Sequence, residues 1–248
     1  MAAMTDSNAA PGSLKVRVAR KIFPAVAGRE AQPVLKDIAI DIEPRSFVVL
    51  TGPSGCGKST LLNIVAGLDD QYEGEVVLGG AGTELGYVFQ SPRLLPWRTV
   101  RQNIELALPD DDPRHGEIDD MLRQVGLEGF ASQYPERLSL GMQRRASLAR
   151  GFITAPDVLL MDEPFVSLDD PTAQALRELL IGLWNRQPTT VVFVTHDRNE
   201  AVMLGTRILR MSGTNATIIQ DETVRLSPSE RTDRAKVQDE LERIFRDP

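Results

Sequence analysis

A single cysteine, Cys56, occurs in the 248 residues, which excludes an internal disulfide and is compatible with a reducing cytoplasm. Histidine is almost as scarce, with His115 and His196 alone. Long apolar runs are missing too. Stretches such as VVFV at 191–194 fall far short of the roughly 20 residues that cross a bilayer. The opening MAAMTDSNAAPGS has no basic segment followed by an apolar run, so residues 1–12 read as a disordered tail rather than a signal peptide. Neither an internal repeat nor a low-complexity segment is present. A net charge of −7 points away from nucleic acid as the main partner. What remains is the composition of a soluble globular protein, 42% hydrophobic and 25% charged, long enough for one sizeable core with an elaboration.

Short β-branched runs predict strands over 14–18, 38–42, 47–50, 75–78, 86–89, 158–161, 191–195 and 207–211. Helical spacing predicts helices over 59–66, 118–125, 141–153, 171–184 and 199–204. Alternation of the two implies an α/β fold with a mainly parallel sheet and ligands at the carboxyl ends of its strands. Between about 91 and 150 the pattern turns to helices, loops and the acidic PDDDPRHGE, which reads as an inserted helical subdomain. Residues 226–248 read as a charged terminal helix with Val237, Leu241 and Phe245 on one stripe.

GPSGCGKS, residues 52–59, matches GxxxxGK[ST], with the apolar strand FVVLT before it and the helical TLLNIVAGL after it. That context predicts a phosphate cradle built from Gly52, Pro53, Ser54, Gly55, Cys56, Gly57, Lys58, Ser59 and Thr60. Glycines let successive N–H groups curl round an anion at a helix N-terminus. Lys58 would neutralise β- and γ-phosphate oxygens, and Ser59 would ligate Mg²⁺. Cys56 reads as a small residue filling the turn.

VLLMDEP, residues 158–164, is an apolar strand ending in two adjacent carboxylates, which are costly to bury without a metal or substrate. Downstream of a phosphate loop, Asp162 reads as the magnesium-holding aspartate and Glu163 as the group that polarises the attacking water. VVFVTH repeats the design, bringing His196 to a strand end where it could bond the γ-phosphate. His115 reads as solvated.

With GPSGCGKST, the glutamine-containing YVFQ, LSLGM, VLLMDEP followed by SLD, and VTH in that order, the chain resembles the ATP-binding subunit of an ABC transporter. Within that class it is most similar to the nitrate, sulfonate and taurine importer type. The resemblance, over about 14–211, implies a P-loop NTPase (RecA-like) core with a small antiparallel β-subdomain and an inserted helical subdomain. It implies one ATPase domain over 13–225, with core segments 13–90 and 151–225 and helices over about 91–150. It further implies ATP and Mg²⁺ as cofactors and a second ATPase subunit closing head to tail to sandwich ATP. Transmembrane permease subunits, a solute-binding protein reached through them, and a peripheral position on the cytoplasmic face of the inner membrane complete the picture.

Residue by residue, Gln90 would touch Mg²⁺, while Ser139 and Gly141 would contact the γ-phosphate across the dimer and Asp169 would lie at the same interface. Phe23 is the candidate for the aromatic on adenine, with Ile22 the other possibility. Leu94, Leu95 and Trp97 correspond to a groove for a permease helix, or else pack within the helical subdomain. Two departures stand out. Arg45 and Ser46 replace the usual Gly and Glu ahead of the phosphate-loop strand, away from the phosphates, with little functional consequence expected. Leu140 replaces the first glycine of LSGGQ and Met142 its glutamine, which is harmless if Leu140 keeps a negative φ.

Three readings compete with an importer ATPase. One is an exporter or lipid-trafficking ATPase, and another is a nucleotide-binding module that does not hydrolyse. The third, a DNA-repair or translation ATPase, is disfavoured by the single cassette without an extended heptad array.

Overall fold

Strands and helices alternate along the computed structural model, which describes residues 4–7, 9–25 and 30–246. In chain order they are β1 (Met4–Asp6), β2 (Leu14–Phe23), β3 (Gln32–Ile42), β4 (Phe47–Thr51), α1 (Lys58–Val65), β5 (Glu73–Gly79), β6 (Leu85–Val88), α2 (Val100–Glu105), α3 (Ile118–Gln124), α4 (Leu140–Phe152), β7 (Val158–Asp162), α5 (Asp170–Arg186), β8 (Thr190–Val194), α6 (Arg198–Leu204), β9 (Arg207–Met211), β10 (Ile218–Thr223) and α7 (Arg234–Phe245). They fall into two compact units, Met1–Thr83 with Thr190–Pro248 and Glu84–Thr189.

The first unit holds a four-stranded sheet in the order β1-β5-β2-β3, with β2 antiparallel to both β3 and β5. Alternation along β2 and β3 sets Leu14 opposite Ile42, Val16 opposite Ile40 and Val18 opposite Ile38, all buried. These cross-strand apolar pairs fix the register, because a slip of one residue would turn every one of them outward. In the same unit β4 lies between β8 and β9, parallel to both, and β10 returns antiparallel to β9. FVVLT and TVVFV have no exposed residue, as parallel strands covered on both faces require.

In the second unit β6 pairs parallel with β7, and the insertion between them supplies α2, α3 and α4. Helix α2 begins with a capping box, in which Thr99 Oγ1 accepts from the Gln102 N–H at 3.2 Å and Gln102 Oε1 accepts from the Thr99 N–H at 3.0 Å. The fully buried Asn103 side chain ties the preceding loop to α2, accepting from the Leu95 N–H at 2.7 Å and donating to the Leu95, Arg98 and Thr99 carbonyls.

Two expectations need correction. The first concerns the tail, where Met4–Asp6 forms a strand paired parallel with Val77–Gly79. Its last carbonyl accepts from the Gly80 N–H at 2.9 Å, so an edge of β5 orders part of a segment too polar to order itself. The terminal helix buries Val237, Glu240, Ile244 and Phe245, while Leu241 is half-buried. Glu240 turns inward because it accepts from the Arg225 N–H at 2.7 Å and from Arg243 at 2.8 and 2.9 Å. Separately, Arg45 adopts φ 59, the left-handed region that a glycine takes without strain. The substitution ahead of β4 therefore has a backbone cost that the sequence concealed.

Candidate functional site

In the first unit, β4 delivers the chain to the phosphate loop and α1 takes it away. A turn closed by the Cys56 N–H on the Pro53 carbonyl at 3.3 Å leads to Gly57, the N-cap of α1, where no side chain caps the first turn. Gly57 has φ 113, and a Cβ there would lie 2.8 Å from Val34 Cγ1 and 2.9 Å from Leu35 Cδ2. Strand β3 thus presses on the loop from one side and admits only glycine. Gly55, at φ 77, has nothing within 4 Å of where a Cβ would sit, so its conformation and not its surroundings calls for glycine. Lys58, 4% exposed, donates through Nζ to the Gly52 and Pro53 carbonyls at 3.0 Å each. Buried Cys56 fills the turn beneath, while Pro53, Ser54 and Ser59 are exposed and Thr60 is half-buried.

Strand β8 of the same unit ends at the turn carrying His196, which is exposed. Both of its neighbours are pinned. The Thr195 hydroxyl donates to Glu200 Oε2 at 2.6 Å and accepts from the Asp197 N–H at 3.0 Å. Asp197 in turn caps α6, accepting from the Asn199 and Glu200 N–H groups. Nothing in the local pattern announces the Thr195–Glu200 pair, since a threonine and a glutamate five residues apart suggest no contact until the turn is formed.

Strand β7 of the second unit ends with Asp162, 8% exposed, followed by half-buried Glu163 at φ 42. A left-handed glutamate at a strand end is a local strain of the kind that accumulates at working sites. Tyr87 on β6 has its phenol pushed up by burial and, secondarily, by the Asp162 charge. The Tyr87 and Phe89 rings stack with centroids 4.0 Å apart, and the Arg93 guanidinium lies 3.7 Å above the Phe89 ring.

Helix α4 frames the rest of this half. Ser139 is its N-cap, with Oγ accepting from the Met142 N–H at 3.3 Å, and Ser139 and Leu140 are exposed. Leu140 is the first helical residue and lies outside the positive-φ region, as required for leucine to replace glycine without strain. Buried Gly141 faces Thr172, which is held at the start of α5 by Asp169. Thr172 donates to Asp169 through its amide at 2.9 Å and its hydroxyl at 3.0 Å, and these bonds lower the Asp169 carboxyl below its usual range. One turn along α4, Arg144 donates to the carbonyl of Gln90, whose residue is exposed, and to Val166 at 3.4 Å. Arg150 donates to the Pro92 and Arg93 carbonyls at 2.9 Å each. One helix therefore carries the LSLGM turn at its start and holds the Gln90 loop along its length. Nothing in RRASLAR announces those two arginines, which burial turns from surface charges into loop clamps, lowering the affinity of each for its proton.

Of the suggested apolar patch, Trp97 is 69% exposed while Leu94 and Leu95 are half-buried. At the end of β2, Phe23 is 43% exposed and Ile22 half-buried. His115 bonds the Pro109 carbonyl through Nε2 at 2.9 Å.

A family model described as ABC transporter matches residues 35–166. The aliphatic sulfonates import ATP-binding protein SsuB of Bacillus subtilis (strain 168) is 44% identical over 181 residues, covering 71% of this chain and 71% of that protein. Aliphatic sulfonates import ATP-binding protein SsuB 2 of Burkholderia cenocepacia (strain HI2424) is 39% identical over 248 residues, covering 95% and 89%. Among solved structures, the dimeric post-hydrolysis ATP-binding cassette MJ0796 bound to ADP and Pi superposes with TM-score 0.74 at 31% identity, covering 86% of this chain and 100% of that one.

Proposed function

Since this chain belongs to the ABC transporter family and is a transport ATPase, we propose that it binds and hydrolyses ATP to drive import of a small solute of the sulfonate, taurine or nitrate type. The observation that carries ATP binding is the loop from β4 to α1, with Lys58 buried among its carbonyls and glycines in conformations that other residues resist. Import is supported by the names of the relatives, which are aliphatic sulfonates import ATP-binding proteins.

In this reading residues 52–60 wrap the β- and γ-phosphates, and Lys58 exchanges its carbonyl partners for phosphate oxygens. The Ser59 hydroxyl, the Gln90 amide oxygen and the Asp162 carboxylate are oxygen donors of the kind Mg²⁺ takes. Only one of those three is a carboxylate, so it is no contradiction that no cluster of three His, Cys, Asp or Glu suited to a metal occurs among the described residues. Held by these groups, the metal would supply charge neutralisation at the phosphates. Glu163 polarises the attacking water, and His196, on a turn stiffened by Thr195 and Glu200, orients it toward the γ-phosphate. Phe23 stacks on adenine.

The working unit is a dimer in which each ATP meets Ser139 and Gly141 of the second subunit, with Asp169 at the same interface. The dimeric form of the similar cassette supports this arrangement. Transmembrane permease subunits and, beyond them, a solute-binding protein supply the specificity, and the ATPase sits peripherally on the cytoplasmic face of the inner membrane. No helix among the described residues is long and apolar enough to cross a membrane.

The test is ATPase activity of the subunit reconstituted with its permease, with alkanesulfonates, taurine and nitrate offered together with the solute-binding protein. The expected result is stimulation by one solute class, and only when the binding protein is present. Full activity without a binding protein indicates an exporter-type system, and no hydrolysis at all indicates a regulatory module.

A further inference from the structure

Strand β2 begins by alternating strictly, with Leu14, Val16 and Val18 inward. Between Val18 and Arg20 its register against β5 shifts by one residue, and the bulge reverses the phase. Lys21, at an odd position, is thereby turned inward and is only 2% exposed. Its ammonium donates to Asp69 Oδ1 at 2.6 Å and to the Gln71 carbonyl at 2.8 Å, and the same Asp69 oxygen accepts from the Gln71 N–H at 3.1 Å. A buried ion pair seldom stabilises a fold more than apolar residues of the same shape would, so a lysine driven inward by a bulge calls for another reason.

That reason lies two residues on. Residues i and i+2 of a strand share a face, and the Lys21 ammonium sits 5.0 Å from the centroid of the Phe23 ring. Phe23 pairs with Gln32 of β3. Two residues further along β3 is Val34, the residue skipped where the β2–β3 register shifts and the one that abuts Gly57 of the phosphate loop. An exposed aromatic ring with a buried cation on it thus stands one short step of β-strand from the loop.

We infer that Lys21, fixed by Asp69 and Gln71, is a positioning residue for the nucleotide base: it holds the Phe23 ring in place and draws its π density, strengthening the surface on which a purine stacks. The inference rests on the reading of Phe23 as the base-stacking residue. It differs from a purely structural role in one measurable respect, because a strut would affect every ligand of the fold alike while a stacking aid affects only ligands that have a base.

The experiment measures Kd on the full chain for Mg-ATP and for inorganic tripolyphosphate, which has the phosphates and no base. The variants are Phe23→Ala, the double variant Lys21→Met with Asp69→Asn, and all three changes combined. Asp69→Asn accompanies Lys21→Met so that no half-buried carboxylate loses its cation and the variant folds. For the double variant we expect ATP affinity to fall roughly three- to tenfold, the scale of a partly desolvated cation–π contact, with tripolyphosphate unchanged. The triple variant should bind ATP no more weakly than Phe23→Ala, because Lys21 acts through the ring. If Phe23→Ala shifts the ATP-to-tripolyphosphate ratio and the double variant does not, or weakens both ligands equally, Lys21 is a strut and the inference fails alone. If Phe23→Ala leaves that ratio unchanged, the stacking role of Phe23 falls and the inference falls with it.

Discussion

Gly141 offers a quantitative check on the geometry of the signature turn. An ideal Cβ at this buried position would stand 2.7 Å from Thr172 Cγ2. The glycine carries no positive φ, so the penalty for Gly141→Ala is steric and not conformational. Thr172 cannot swing away freely, since its hydroxyl and amide are both engaged by Asp169. Forcing one methyl into a packed contact costs about 1–3 kcal/mol. For a protein of this size, about 2 kcal/mol lowers Tm by roughly 4–8 °C. Thr172→Ser deletes the offending methyl and keeps the hydroxyl, so in the Gly141→Ala background it should restore most of the loss. Thermal melts of the parent, both single variants and the double give the coupling, expected at about 1–2 kcal/mol. Strictly additive losses would refute the steric account.

Leu140→Gly should leave ATPase activity within a few-fold of the parent, since Leu140 is exposed at the first turn of α4 and already has a glycine-independent backbone. Ser139→Arg should abolish it, and steady-state ATPase assays showing the reverse order would contradict the roles given to the two residues. Arg45→Gly should raise stability by about 1 kcal/mol by relieving the left-handed arginine, less whatever flexibility glycine adds to the unfolded chain; no change in Tm would mean the strain is absorbed elsewhere. Glu240 is held below its ordinary carboxylate range of about 4.5, first by Arg243, against the opposing effect of burial, and then by the Arg225 N–H. Its folded pKa is the lower one, so its contribution is complete above about pH 4.5 and disappears as pH falls through the folded value. Glu240→Gln should therefore cost about 2 kcal/mol at pH 7 and progressively less under acid conditions, and a deficit in melting that stays constant down to pH 3 would overturn this.

How much was legible beforehand follows from where each residue's determinants lie. β4, β7 and β8 were readable as uninterrupted apolar runs because strands covered on both faces must be apolar throughout. β1 and β10 were not. The first is three residues ordered by pairing with β5, and the second, IIQDET, is half-exposed and owes its conformation to β9. α2 left a usable sign, the Thr99 and Gln102 of a capping box, although its six residues are too few to show a helical period. In the candidate site, the sequence singled out as candidates the residues that stand in a recognisable spacing, Lys58 and Ser59 after their glycines and Asp162 beside Glu163. Long-range partnerships elsewhere in the two units were hidden. Lys21 reaches Asp69 across 48 positions, and Arg144 reaches Gln90 across 54, partnerships set by folding and not by local pattern. Arg45 shows the converse, a visible substitution whose cost depends on a dihedral angle that no single sequence states.

We propose that Glu163, in the left-handed region after β7, activates the water that attacks ATP. Glu163→Gln keeps the side chain's size and removes its charge. ATP turnover and ATP-dependent dimerisation should be followed on the same preparation. Hydrolysis should fall by orders of magnitude while ATP still drives the subunits into a stable dimer; hydrolysis that persists near the parent rate, or dimerisation lost along with turnover, would rule out this role for Glu163.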